Sequence, residues 1–256
     1  VSGAPLPAGY RAVVIDGVEA FAREGAEGWL ASVLAGGNTL HGWAERRAIE
    51  SLSGRGPVHV IAARAAEPGG SARWAVRHYR RGGAMARLLG DRYWRIGPSR
   101  PVREVGASQD ARARGVRTPA VVAGAAYDFG GPWAGLYRAD LVTELVTGAA
   151  SLARLVAERT APLTDPLRGS GRLVRALARA GVRHPDLSAG NVLIDALGQA
   201  WIVDLDRART ETPTGVREGR AMLARLERSV RKVASAGTRL SREEWTALRA
   251  GFEEGP

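Results

Sequence analysis

Between Val182 and Arg209 the chain reads VRHPDLSAGNVLIDALGQAWIVDLDRAR, carboxylates and an amide set around two short apolar runs. His184, Asp186, Leu187 and Asn191 fit the pattern HxDLxxxN, and Asp204 follows Asn191 by 13 residues at the end of the run WIV. Two strands are expected here, Asn191 to Ile194 and Ala200 to Val203, joined by a turn over Asp195 to Gln199 that contains Gly198. An antiparallel pair of that size brings the start of the first strand beside the end of the second, so Asp186, Asn191 and Asp204 can converge. Phosphoryl transfer from a nucleotide asks for such a set: a carboxylate to orient a hydroxyl and accept its proton, and oxygen ligands to hold Mg²⁺ against the phosphates. Asp186 is then the base, Asn191 a metal ligand and Asp204 the principal metal ligand. The bland alternative is that Asp186 and Asn191 merely cap turns, as Asp and Asn often do in loops.

The rest of the chain must position these groups. With 256 residues it can form one large domain or two small lobes. Cysteine is absent, which excludes disulfides and thiolate metal sites. Residues 1–10 carry no signal-peptide pattern and no apolar run is long enough to span a bilayer, so a soluble or peripheral cytoplasmic protein is expected. The net charge of +11 is almost wholly arginine, Lys232 being the only lysine. Such a surface favours anionic lipid head groups, a phosphorylated substrate or nucleic acid, and guanidinium can grip phosphate bidentately. No basic tract interleaved with aromatics and no reading motif singles out nucleic acid.

Taken in order, Tyr10 to Ile15 reads as a strand and Val18 to Leu34 as a helix ended by Gly36 and Gly37, while the polar stretch His41 to Leu52 is expected to be part strand. Gly54, Arg55 and Gly56 then precede the alternating run VHVIAAR, and strand, glycine turn, strand lets backbone amides approach phosphate; the same residues also suit an ordinary hairpin. Ala72 to Tyr79 is a strand that places Arg77 where a cation can meet the α- and β-phosphates, with Glu104, on an expected helix from Arg100 to Gly115, as its partner. His78 reads as a structural imidazole, and Arg80 and Arg81 either grip an anionic substrate or stay solvated. Pro119 to Ala126 and Leu136 to Val146 make two apolar strands. The second ends at Glu144, Leu145 and Val146, which by order alone form the hinge whose backbone meets adenine. Helices follow over Ser151 to Glu158 and Leu167 to Ala180, the latter ended by Gly181. After Asp204 only a short segment precedes helices over Val216 to Ala234 and Leu240 to Ala250.

Protein kinases place lysine where this chain has Arg77, and a long activation segment where it has almost none. The motifs GRG (54–56), RHYRRGG (77–83), YRADLVTE (137–144), HPDLSAGN (184–191) and VDLDRAR (203–209), in that order, resemble the lipopolysaccharide kinase family, which contains the 3-deoxy-D-manno-octulosonic acid (Kdo) and heptose kinases. The helix over 222–232 also resembles that family's C-terminal helix. The resemblance implies an α+β, protein-kinase-like two-lobed fold with a reduced C-terminal lobe. Residues 1–146 would form the N-terminal lobe with its nucleotide-binding sheet, and 147–256 the helical C-terminal lobe with the catalytic and metal-binding loops. It further implies ATP and Mg²⁺ as cofactors, and as acceptor the Kdo residue of a lipid A precursor, or another anionic glycolipid, met peripherally at the cytoplasmic face of the inner membrane. Family roles would fall on Arg77, Glu104, Asp186, Asn191 and Asp204 as above; Asp206 matches a further acidic position whose role, like that of His184, lies between substrate contact and support. The family's loop more typically reads HADLNAHN, so Pro185, Ser188 and Gly190 are departures. Two other expectations stand beside this one: a kinase for a heptose or other small hydroxyl compound, and an inactive kinase-like module that binds anionic lipid or nucleotide.

Overall fold

The computed structural model describes residues 5–15, 17–52, 56–63, 71–80, 90–130, 134–211, 216–234 and 239–254. The chain divides into two compact units, Val1–Gly106 with Ala120–Leu145, and Ala107–Pro119 with Val146–Pro256. The segment Ala107–Pro119 thus groups with the second unit, where the sequence expectation was an uninterrupted first domain over 1–146. Helices mix with antiparallel sheets, an α+β architecture.

The first unit is built on a sheet of eight strands, β1 (Tyr10–Ile15), β2 (Val18–Arg23), β3 (Glu50–Leu52), β4 (Val58–Ala62), β5 (Arg73–His78), β6 (Tyr93–Trp94), β7 (Val121–Asp128) and β8 (Leu136–Glu144). Their order is β1-β2-β7-β8-β5-β4-β3, with β6 also paired to β8. One face packs on helices α1 (Glu27–Ala35) and α2 (Leu40–Glu45) through Leu30, Val33, Leu34, Leu40, Trp74 and Val142. The other face gathers Phe21, Tyr79, Tyr137 and Leu141 around Val102 and Val105 from the first turns of helix α3 (Arg100–Ala113). Because β7 is covered on both faces, its sequence VVAGAAYD is a nearly continuous apolar run rather than an alternating one, while its neighbour β8 buries Asp140 among its apolar residues.

The helix expected over Val18 to Leu34 is a strand followed by a shorter helix. VEAFAR sits inside the sheet between β1 and β7, with its four central residues all buried, and Gly17 at φ 72° turns the chain out of β1. Burial on both faces erases the alternation that would have marked a strand. The stretch expected to be part strand from His41 to Leu52 holds α2, whose N-cap Thr39 accepts a hydrogen bond from Gly42 N–H at 3.0 Å, and only then β3.

The second unit has helices α4 (Leu152–Glu158), α5 (Thr164–Arg179), α6 (Val216–Ala234) and α7 (Arg242–Glu254), with the short strands β9 (Ala150–Ser151), β10 (Val182–Arg183), β11 (Val192–Ile194), β12 (Ala200–Ile202) and β13 (Arg209–Thr210). Its core is formed by Leu152, Leu167, Leu177, Ile202, Leu226 and Phe252, joined by Ala107, Ala111 and Val116. Helices α5 and α7 cross backbone to backbone at glycines: a Cβ on Gly171 would come within 2.7 Å of the Phe252 nitrogen, and one on Gly251 would run into the Arg168 carbonyl. No helix among the described residues is long and apolar enough to cross a membrane.

Candidate active site

In the second unit, β10 delivers the chain into the loop 184–191 and β11 takes it out. The hairpin of β11 and β12 pairs Val192 with Ile202, and one step further out Val203 N–H donates to the Asn191 carbonyl at 2.9 Å. Asp204 is the next residue, in the left-handed region at φ 68°, which Asp tolerates better than most side chains. Asn191 Nδ2 donates to Asp204 Oδ2 at 3.2 Å. Two residues 13 apart in sequence are therefore neighbours because the hairpin between them is short and in register. The turn is fixed by Asp195, which accepts from Leu197 N–H at 2.9 Å, Gln199 N–H at 2.8 Å and Trp201 Nε1 at 2.8 Å. Burial works against that carboxylate's charge, but these donors and then Arg117 hold it below its usual range.

The loop itself is anchored by apolar burial and backbone bonds. Leu187 and Ala189 are buried, Ala189 N–H donates to Ser229 Oγ of α6 at 3.0 Å, and Asn191 N–H donates to the Ser188 carbonyl at 3.0 Å. Ser188 Oγ also hydrogen-bonds Asn191 Oδ1. The Asn191 side chain is thus held from both ends, by Ser188 and by Asp204. His184 is 1% exposed; burial lowers its imidazole pKa, opposed by Asp204, the Val203 backbone, Asp186 and Asp206. It is a neutral wall of the site, and Asp206, also buried, lies close enough to act on it electrostatically.

Asp186 is more than half exposed and its Oδ2 is ion-paired with Arg207 Nη1. Beyond Arg207 the chain returns at once, for β13 pairs with β10 as Val182 opposite Thr210. The stretch after Asp204 is consequently closed within a few residues.

In the first unit, Arg77 Nη2 on β5 is ion-paired with Glu104 Oε1 on α3. Glu104 is 4% exposed, and its Oε2 accepts a hydrogen bond from Tyr79 Oη at 2.5 Å. Gly56 lies so close to Arg80 that a Cβ there would overlap the guanidinium arm. Gly54, Arg55 and Arg81 lie outside the described residues. Glu144 forms an ion pair with Arg23 at 2.9 Å, and the N–H groups of Glu144 and Leu145 already donate to Ala120 and Arg73 at 2.9 and 3.0 Å. The Val146 carbonyl accepts from Ala149 N–H at 3.3 Å.

Sequence reasoning assigned no role to Arg207, Tyr79, Ser188 or Ser229. The signal for Tyr79 was available, since it stands two residues from Arg77 and so on the same face of a strand.

The model of the lipopolysaccharide kinase (Kdo/WaaP) family matches residues 41–252. The chain belongs to that family. It is accordingly a phosphotransferase of the kinase class. It is 35% identical over 178 residues to a 3-deoxy-D-manno-octulosonic acid kinase of Vibrio cholerae serotype O1, covering 68% of this chain and 72% of the relative. A protein of the same name from Photobacterium profundum is 32% identical over 214 residues, 81% of this chain and 84% of that one. One from Xanthomonas campestris pv. campestris is 36% identical over 201 residues, covering 77% and 75%. Among solved structures, "WaaP in complex with acyl carrier protein" is similar with a TM-score of 0.48 at 20% identity, covering 87% of this chain and 86% of that one.

Proposed function

We propose that this lipopolysaccharide kinase transfers the γ-phosphoryl group of ATP to a hydroxyl of the Kdo residue on a lipid A precursor, within a protein-kinase-like arrangement of site residues. The observation that carries the reading is the Asn191–Asp204 contact at 3.2 Å beside a loop that presents Asp186. Its support on the acceptor side is the identity of 32% and more to 3-deoxy-D-manno-octulosonic acid kinases over most of the chain.

The residues fit a magnesium ion. Asp204 offers carboxylate oxygen, and with the Asn191 amide turned over Nδ2 would donate to Ser188 Oγ while Oδ1 would stand beside Asp204 as a second oxygen ligand, satisfied by the cation. Bound there, the ion would neutralise charge on the phosphates. Asp186 orients the acceptor hydroxyl and takes its proton, with Arg207 fixing the carboxylate by one oxygen. Arg77, aimed by Glu104, contacts the α- and β-phosphates in place of the lysine of protein kinases, with a planar fork instead of a point charge. Gly56 covers the nucleotide, and the backbone near Val146 meets its base. Arg80 and the buried Asp206 border the acceptor.

The net charge of +11 supports peripheral attachment to an anionic membrane on the cytoplasmic side, where high salt would release the protein from anionic vesicles. The reaction is tested by incubating the protein with ATP, Mg²⁺ and Kdo-bearing lipid A precursor and looking for a phosphate mass increment on the glycolipid. Its absence, with folding intact, would remove the acceptor assignment.

A further inference from the structure

We propose that Tyr79 is a positioning residue for the phosphate-contacting arginine, closing a three-membered clamp with Arg77 and Glu104. The proposal rests on the reading of Arg77 given above. Tyr79 follows β5 directly, is 2% exposed, and has its backbone fixed by an N–H bond to the Ala139 carbonyl at 2.9 Å. Two residues along an extended strand share a face, so the phenol ring lies beside the Arg77 side chain, whose Cζ stands 4.7 Å from the ring centroid. The hydroxyl of the same ring donates to Glu104 Oε2 at 2.5 Å, while Arg77 holds Oε1. Each member of the trio therefore contacts the other two. A second guanidinium, from Arg100 in the first turn of α3, stands 5.1 Å from the Tyr79 centroid and ties the ring to the helix that carries Glu104.

The physical need is specific to arginine. Its side chain is long and rotamer-rich, and a carboxylate pivot at one edge does not by itself fix the swing of the guanidinium plane. A ring stacked beside that plane, hydrogen-bonded to the pivot itself, removes the swing. The cation then meets the phosphates without having to be ordered at the moment of binding.

The test is a kinetic series with ATP and acceptor varied separately, together with thermal melts. Tyr79→Phe keeps the ring and deletes the bond to Glu104; Tyr79→Leu deletes both contacts. KM for ATP is expected to rise about three- to tenfold in Tyr79→Phe and further in Tyr79→Leu, with KM for the acceptor unchanged. Adding Tyr79→Phe to Arg77→Gln should raise KM for ATP no further than Arg77→Gln alone. A Tyr79→Phe enzyme that melts earlier yet keeps its KM for ATP, or one whose effect multiplies with that of Arg77→Gln, overturns the clamp. If Arg77→Gln itself leaves KM for ATP unchanged, the reading of Arg77 falls and the clamp falls with it. Should Tyr79→Leu fail to fold, Tyr79→Phe alone decides.

Discussion

Asn191 and Asp204 meet at 3.2 Å across the open end of a three-residue antiparallel pair, with the Val203–Asn191 backbone bond locking the register. A slip of one residue would turn every side chain of the hairpin to its other face and part the two. Asp204→Ala is expected to lower turnover at least about a hundredfold with little change in melting temperature, whereas Asn191→Ala should show a milder loss that added Mg²⁺ partly restores. Metal titrations of activity in the two variants check this.

The Arg207–Asp186 pair has both side chains more than half exposed, so it adds little to stability. On the proposed reading it orients the base. Arg207→Ala should reduce kcat roughly tenfold through a loosely held base and leave the melting curve in place. A loss confined to stability would contradict that role.

His78 makes two carboxylate contacts, Nδ1 to Asp140 at 2.6 Å and Nε2 to Asp91 at 3.0 Å. Burial alone would lower its pKa, but Asp140 and then Asp91 outweigh burial and raise it above the ordinary value of 6.5. The native state thus favours the imidazolium. Its stabilisation is complete below about pH 6.5 and is lost as pH rises through the raised native value. The melting temperature of the wild type minus that of His78→Gln should therefore shrink between neutral and alkaline pH. A difference that grows over that range would reverse the assignment.

Helix α5 meets helix α7 at glycines because any side chain there would strike backbone. Gly251→Ala puts a methyl into the Arg168 carbonyl and is expected to cost about 1–3 kcal/mol or more by overpacking, a drop of several degrees in melting temperature. Calorimetry of the variant measures it. A neutral outcome would mean that the helices can part without loss.

Motif residues were legible because their spacing within one hairpin fixes where they go. Asn191 and Asp204 needed only a turn with Gly198, and the brief return to β13 followed from the few residues after Asp204. The pairing of Arg77 with Glu104 could be named from order, and the two-residue spacing puts Tyr79 on the face of Arg77, but that its hydroxyl shares the same carboxylate is a property of packing. The strand Val18–Arg23 was misread as helix for the opposite reason: a strand buried on both faces shows no alternation. The glycines of the α5–α7 crossing lie 80 residues apart, Gly171 and Gly251, and nothing local to either marks the contact. At Glu144 the sequence offered a hinge residue, while its carboxylate is occupied by Arg23 and its N–H by the Ala120 carbonyl, pairings across the sheet that order along the chain does not show.

We propose that Asp186 takes the proton of a Kdo hydroxyl as phosphate is transferred. The most direct measurement follows phosphate from labelled ATP onto two glycolipids that differ only in the presence of Kdo, with the wild type and with Asp186→Asn. Transfer to the Kdo-bearing lipid alone, lost in Asp186→Asn while ATP binding is retained, is the expected result. Equal transfer to both lipids, or undiminished transfer by Asp186→Asn, would contradict it.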